Sequence, residues 1–220
     1  MERLKKILTQ EDPAIWVFAG DSITHGARHT IGWRDYTELF TERVRFEMRR
    51  YRDFMIKSAI SGWTIQRIED DLEWNILQFK PTVVSLMVGL NDCTKGPDGL
   101  PAYRESYLRV IETIRARTGA ELLMHTSNAT LITDGSTRVA NLPAYVEATL
   151  QIAEQAGVPI IDHHAEWTAA ASGNNDAMHH WMGHGCHPNQ YGHRAMAHAL
   201  FHALDIWDDA SWTCQLSVPR

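Results

Sequence analysis

The chain has 220 residues, 44% of them hydrophobic and 22% charged, which supplies one core of ordinary domain size and excludes a disordered polymer. Twenty-one Lys and Arg face 27 Asp and Glu, a net charge of −6 that argues against nucleic acid as a partner. No stretch approaches the roughly 20 apolar residues that span a bilayer, and residues 1–8 lack the apolar body of a secretory signal, which points to a cytoplasmic protein.

Residues 14–19 form a continuous apolar run that ends in Gly20-Asp21-Ser22, the pattern of a strand buried on both faces and stopped by a turn. Similar runs occupy residues 81–88, 121–126 and 158–162, and a weaker one spans 54–59. Stretches long enough for helices lie between and after them, at 33–50, 65–77, 103–118, 143–156 and 191–204. This alternation predicts an α/β domain with a parallel sheet of five strands covered by helices, because parallel strands need crossovers and the crossovers form the outer layers. In such sheets ligands bind beyond the carboxyl ends of the strands, where Ser22, Gly89 and Asn91 fall. The domain core is expected over 14–204 within a single domain of 1–220. For the tail, 205–220, with Trp207, Trp212 and Cys214, two placements are open: on the domain itself or on another subunit of a homo-oligomer.

Ser22 places a hydroxyl where the chain leaves the first strand, and a serine becomes a nucleophile when a base and oxyanion donors stand near it. Ser61-Gly62-Trp63 follows the second strand, Gly89-Leu90-Asn91-Asp92 the third, and His187-Pro188-Asn189 precedes the last helix. These four blocks in this order resemble the SGNH hydrolases, the GDSL esterase and lipase family, over nearly the whole chain. The resemblance implies a flavodoxin-like three-layer α/β/α sandwich. It also implies Ser22 as nucleophile, His187 as general base, and an oxyanion hole made of the Ser22 and Gly62 backbone N–H groups and the Asn91 amide.

The family writes an aspartate three residues before the base, and this chain has His184 there. Three readings follow. His187 is oriented by another acceptor, a backbone carbonyl or a carboxylate such as Asp162 or Asp176; or neutral His184 accepts the hydrogen bond; or the substitution disables catalysis. The first two leave a working, rewired site.

Nine of the twelve histidines lie between His163 and His202, and Asp162, His163, His164, His179, His180, His184 and His187 together hold enough ligands for zinc. No HExxH motif is present and the resemblance already uses His187, so no metal or cofactor is expected. His198 and His202 are four apart and share a helical face. Asp21 and Asp92 are expected to accept from backbone N–H groups of neighbouring loops. Arg28, Trp33, Trp63 and Trp181 lie near the motif blocks and are candidates to line the substrate site, with core packing as the competing role of each tryptophan. Cys186 has no base of its own and reads as a bystander, and the three cysteines carry no disulfide framework.

The function implied is a serine esterase that cleaves a short acyl ester, acetyl included, from a carbohydrate or small alcohol through an acyl-enzyme. The long loops are mostly polar and show no broad apolar lid. The alternatives are a catalytically weak protein of the same fold that binds an acylated ligand and, lower in rank, a metal-dependent hydrolase that uses the histidine cluster.

Overall fold

Residues 16–20 are buried one after another in β1 (Ile15–Gly20), as are all five residues of β3 (Val83–Met87), so both faces of the sheet centre are covered. The computed structural model, which describes residues 1–171 and 176–219, orders the strands β2-β1-β3-β4-β5, all parallel. The register sets Val17 opposite both Ile56 and Val84, and Leu86 opposite Met124. The edge strands β2 (Phe54–Lys57) and β5 (Ile160–Ile161) are short, and β2 has no fully buried residue, which is why its apolar run is the weakest. β4 spans Glu121–His125. The five-stranded α/β sandwich implied by the motif blocks is the fold observed.

The helices form two packed sets. On one side α3 (Tyr36–Thr41) meets α10 (Gln190–Ala203); α4 (Ile65–Asp70), α6 (Leu100–Thr118) and α7 (Arg138–Ala156) pack successively in the other. The helix expected over 33–50 begins later, where Asp35 accepts from the N–H groups of Thr37 and Glu38 and Glu38 returns to the Asp35 N–H in a capping box. It then widens into a π-helical segment, Glu42–Glu47. The helix expected over 65–77 breaks at Asp71 into α4 and α5 (Leu72–Asn75). α7 starts five residues before Pro143: a proline lacks a donor but does not stop a helix when neighbouring turns and packing hold the backbone. α1 (Glu2–Thr9), α2 (Ser22–His25), α8 (His163–Ala171) and α9 (Asp176–Trp181) are the other α-helices among the described residues and lie outside the helical stretches expected from the sequence. Among the described residues no helix is long and apolar enough to cross a membrane.

The tail packs on its own domain. Arg43 donates to the Ile206 carbonyl at 2.8 Å, Glu47 accepts from Ser211 and Thr213, and the Trp181 indole donates to the Pro219 carbonyl at 2.6 Å.

Candidate active site

β1 delivers Gly20, Asp21 and Ser22 to the carboxyl edge of the sheet beside β3, where the strand order reverses. A Cβ on Gly20 would run into the Met87 carbonyl and stand 2.8 Å from Thr24 Oγ1, so this turn admits only glycine. Asp21 is wholly buried and caps α2 by accepting from the Ile23 N–H at 2.9 Å. Burial pushes its carboxyl up to about 7. Ser22 is the first residue of α2, where helix geometry leaves a backbone N–H without an intrahelical acceptor.

The loop after β2 is tied to β1 by the Ile60 N–H on the Gly20 carbonyl at 3.0 Å, and to α2 by Ser61, whose Oγ is 3.0 Å from His25 Nδ1. Gly62 has φ +84°, which favours glycine, and a Cβ there would meet nothing within 4 Å. The space over its backbone is therefore open.

Beyond β3, Asp92 accepts from Gly89 N–H at 3.1 Å and from Ile65 N–H at 3.0 Å, which fixes the loop against the start of α4; burial raises its carboxyl to about 6. Asp21 and Asp92 thus both serve backbone N–H groups, as expected from their positions. The Asn91 amide donates to the Trp63 carbonyl at 3.0 Å, while Arg138 reaches the Asn91 Oδ1 at 3.4 Å and donates to the Leu90 carbonyl at 3.1 Å. With its oxygen occupied by a cation and one hydrogen on Trp63, the amide is held in one orientation and retains a second N–H. Arg138 was not singled out from the sequence. It lies 47 residues from Asn91 and belongs to no motif block, so only the packing of α7 brings it there.

His187 sits on a short loop closed by the bridge between Met182 and Pro188 and by the Gly183 N–H on the His187 carbonyl at 2.8 Å. Asn189 caps α10, accepting from Tyr191 and Gly192 N–H, and its amide donates back to the His180 carbonyl at 2.8 Å. The loop therefore has little freedom. It places His187 Nε2 2.7 Å from Ser22 Oγ, and His187 Nδ1 2.7 Å from His184 Nε2. For Nε2 to accept the serine proton, the His187 proton must be on Nδ1 and be donated to His184.

Of the competing orienters, Asp162 accepts from Thr126 Oγ1 at 2.9 Å and Ala165 N–H at 3.0 Å, at the start of α8, and has no bond to His187. The side chain of Asp176 lies outside the described residues, as do that of Arg28 and the loop 172–175. His29, absent from the motif blocks, stacks on His187 with ring centroids 3.7 Å apart and planes 5° apart, and its Nδ1 is 3.4 Å from His184 Nε2. One histidine among twelve carries no signal of such a role in the sequence. Burial, with the neighbouring His29, His184 and Arg138, pushes the His187 imidazole down to about 3. Cys186 Sγ is 3.3 Å from His187 Nδ1, and burial raises its thiol to about 11, so it stays a neutral neighbour.

The broad ligand set weighed from the histidine count does not assemble. His163 is buried against His125 and Trp167, while His179 and His180 are exposed on α9. Among the described residues, the group of ligand atoms within 4.8 Å of one another is His29, His184 and His187. His198 and His202 do share a face of α10, and both rings pack on Trp207. Trp181 is core, packed on Trp167. Trp63 contributes its carbonyl to Asn91, and Trp33 is 56% exposed on the wall of a cavity of about 470 Å³ shared with His25, Arg34 and Lys57.

Residues 18–195 match the model of the GDSL-like lipase/acylhydrolase family. A protein from Parabacteroides merdae described as a GDSL-like lipase is similar in structure, with a TM-score of 0.75 at 19% identity, 89% of this chain and 97% of that one being covered. The acetyl xylan esterase AlAXEase aligns with a TM-score of 0.71 at 24% identity over 86% of this chain and 98% of its own. Axe2, an acetylxylan esterase from Geobacillus stearothermophilus, aligns at 0.70 and 19% identity over 87% and 94%. An uncharacterised protein of Mycoplasma pneumoniae is 40% identical over 55 residues, a match that spans 25% of this chain and only 6% of that much longer protein.

Proposed function

The chain belongs to the GDSL-like lipase/acylhydrolase family, a family of carboxylic ester hydrolases, and from that premise we propose that it is a serine esterase working through the triad Ser22, His187 and His184. The observation that carries this reading is the pair of 2.7 Å contacts on the two nitrogens of His187, one to Ser22 Oγ and one to His184 Nε2. A histidine held at both nitrogens has its tautomer and ring plane set, which is the task the aspartate performs in the common triad.

Ser22 Oγ attacks the ester carbonyl as its proton passes to His187 Nε2. The Nδ1 proton remains on the bond to His184. The Ser22 and Gly62 backbone N–H groups and the second Asn91 N–H receive the oxyanion, with Arg138 keeping the Asn91 amide from flipping. His187 then protonates the leaving alcohol, and water takes the reverse route to release the acid. A neutral His184 steadies the imidazolium less than a carboxylate does, so this triad runs at a lower rate than an aspartate triad on the same frame.

The acyl group is short and the alcohol is a carbohydrate or a small polyol. The mostly polar loops support this, as do the acetylxylan esterases among the structural relatives, and the cavity beside His25 with its half-exposed Trp33 offers a ring face for a sugar. The test is peptide-mapped labelling with a fluorophosphonate, followed by a panel of esters of increasing acyl length and acetylated xylo-oligosaccharides. The expected result is an adduct on Ser22 that is lost in His187→Ala, with acetyl esters turned over fastest. No adduct on the folded protein would overturn the esterase reading in favour of a binding protein.

A further inference from the structure

Three imidazoles converge at the base of the triad, and only one of them is needed to orient His187. His184 Nε2 lies 2.7 Å from His187 Nδ1 and 3.4 Å from His29 Nδ1. Zinc holds nitrogen ligands at about 2.0–2.1 Å in a tetrahedron, which sets them roughly 3.4 Å from one another. The contact between His29 and His184 already has that spacing, and the one between His187 and His184, now 2.7 Å, reaches it by opening about 0.7 Å. His184 is exposed, so a cation arriving from water meets it first, while His29 and His187 are half-buried behind it.

We infer that His29, His184 and His187 form an inhibitory site for a divalent cation of the zinc and copper class, the class that imidazole ligands favour. The cation is not a cofactor. To ligate it, His187 must give the lone pair of Nδ1, and its single proton then resides on Nε2. Nε2 becomes a donor to Ser22 Oγ and can no longer accept the serine proton. Metal binding and general-base catalysis thus compete for one tautomer of one ring.

The stacking of His29 on His187 defines the alternative state. Parallel rings cannot both point their nitrogens at one cation, so His29 must tilt out of the stack to ligate, and the stacked arrangement is the metal-free, active one. With an imidazole at 184, where the family usually has an aspartate, the set is all nitrogen, which suits zinc and copper.

The experiment measures binding and inhibition separately, because inhibition as a readout rests on the esterase reading and binding does not. Equilibrium dialysis of the full chain with zinc chloride is expected to show one tight site per chain, weakened at least ten-fold in His29→Phe, which keeps a ring on His187 but removes the nitrogen. In the same solutions zinc is expected to suppress fluorophosphonate labelling of Ser22, reversibly on chelation. Removing the exposed pair with His179→Ala and His180→Ala is expected to leave both effects in place. Unchanged zinc affinity in His29→Phe, or loss of the tight site in the His179/His180 variant, would overturn the assignment. Zinc bound at that site with Ser22 labelled at the full rate would overturn its inhibitory role. A chain that is never labelled, with or without zinc, defeats the esterase reading alone, and the dialysis result still decides the metal site.

Discussion

Two histidine pairs in this molecule share the same chain of side-chain contacts in opposite surroundings, one pair with stacked rings and the other edge to face. His125 Nδ1 and His163 Nε2 are 3.1 Å apart with stacked rings, both fully buried, with Ser85 Oγ 2.8 Å from the far nitrogen of His125. His187 Nδ1 and His184 Nε2 are 2.7 Å apart, Ser22 Oγ is 2.7 Å from the far nitrogen of His187, and His184 is exposed. Each is a serine, a histidine and a second histidine in a row. The buried row lies inside the sheet under β3 and β4, where no substrate reaches Ser85 and no donor array faces it. Burial also drives the His125 and His163 imidazoles down, to about 3 for His163, so that row stays neutral at any working pH. The serine-histidine contact proposed as catalytic lies instead at the sheet's carboxyl edge, beside the open backbone of Gly62 and the Asn91 amide, with an exposed partner that lets charge develop next to water.

The largest effect separates the rows directly. His187→Ala is expected to lower kcat/KM by roughly 10⁴–10⁶, the upper end being what removal of a triad base costs, with the fold intact by circular dichroism. His125→Ala is expected to act through stability instead, because it opens a cavity in the core and leaves Ser85 and His163 without their shared partner. A His187→Ala enzyme that keeps more than a tenth of its activity would break the comparison.

Next in size is Asn91→Ala, expected to cost about 10²–10³ in kcat with KM little changed, the signature of a donor used only in the transition state. Arg138→Met is a milder version of the same change: the amide stays but loses the cation on its oxygen, and a loss on the order of ten-fold in kcat is expected from steady-state kinetics.

The contrast between these two residues shows what was legible beforehand. Ser22, Gly62, Asn91 and His187 each stand at a strand end or a helix start, so a short local pattern marks them and the alternation of strands orders them. The parallel sheet could be read for the same reason, since continuous apolar runs mean strands covered on both faces. Arg138, His29 and the choice of His184 as the partner of His187 depend on packing between segments far apart in sequence, and no local pattern encodes that. α7 illustrates the point: Pro143 looks like a helix start, yet the helix begins at Arg138, and that extra turn carries the guanidinium to Asn91. Most of the histidines serve the core, the surface or a tryptophan face, and packing alone sets these apart from the three that converge beside Ser22.

His184 sharpens the comparison further. His184→Ala removes the acceptor on His187 Nδ1 and is expected to cost far less than His187→Ala, since the base itself remains. His184→Asp places an anion there, which favours the imidazolium and raises the His187 pKa from its depressed value. The sign follows: the acid limb of kcat/KM, where His187 becomes protonated and inactive, moves to higher pH in the variant, while the rate on the plateau rises by roughly ten-fold or more. A limb that stays in place would mean that the residue at 184 does not sense the charge on His187.

The smallest expected effect is on stability, and it reports the buried row. The unfolded chain protonates each histidine near 6.5, whereas in the folded chain His163 and His187 are held near 3, His193 near 4 and His125 well below its ordinary value. Between pH 6.5 and 4 these groups bind protons only when the chain unfolds, so each loses the folded state stability as pH falls. Asp21 and Asp92 work in the opposite sense, because their raised values near 7 and 6 make the folded chain the better proton acceptor above 3.8. With His164 and His198 also held below their ordinary value by burial, six histidines outweigh two carboxyls, so Tm is expected to fall steadily from pH 6.5 to 4. Replacing His163 by Phe, which cannot titrate, should flatten that slope. Equal slopes in the wild type and His163→Phe would show that the buried row is not what makes the fold acid-sensitive.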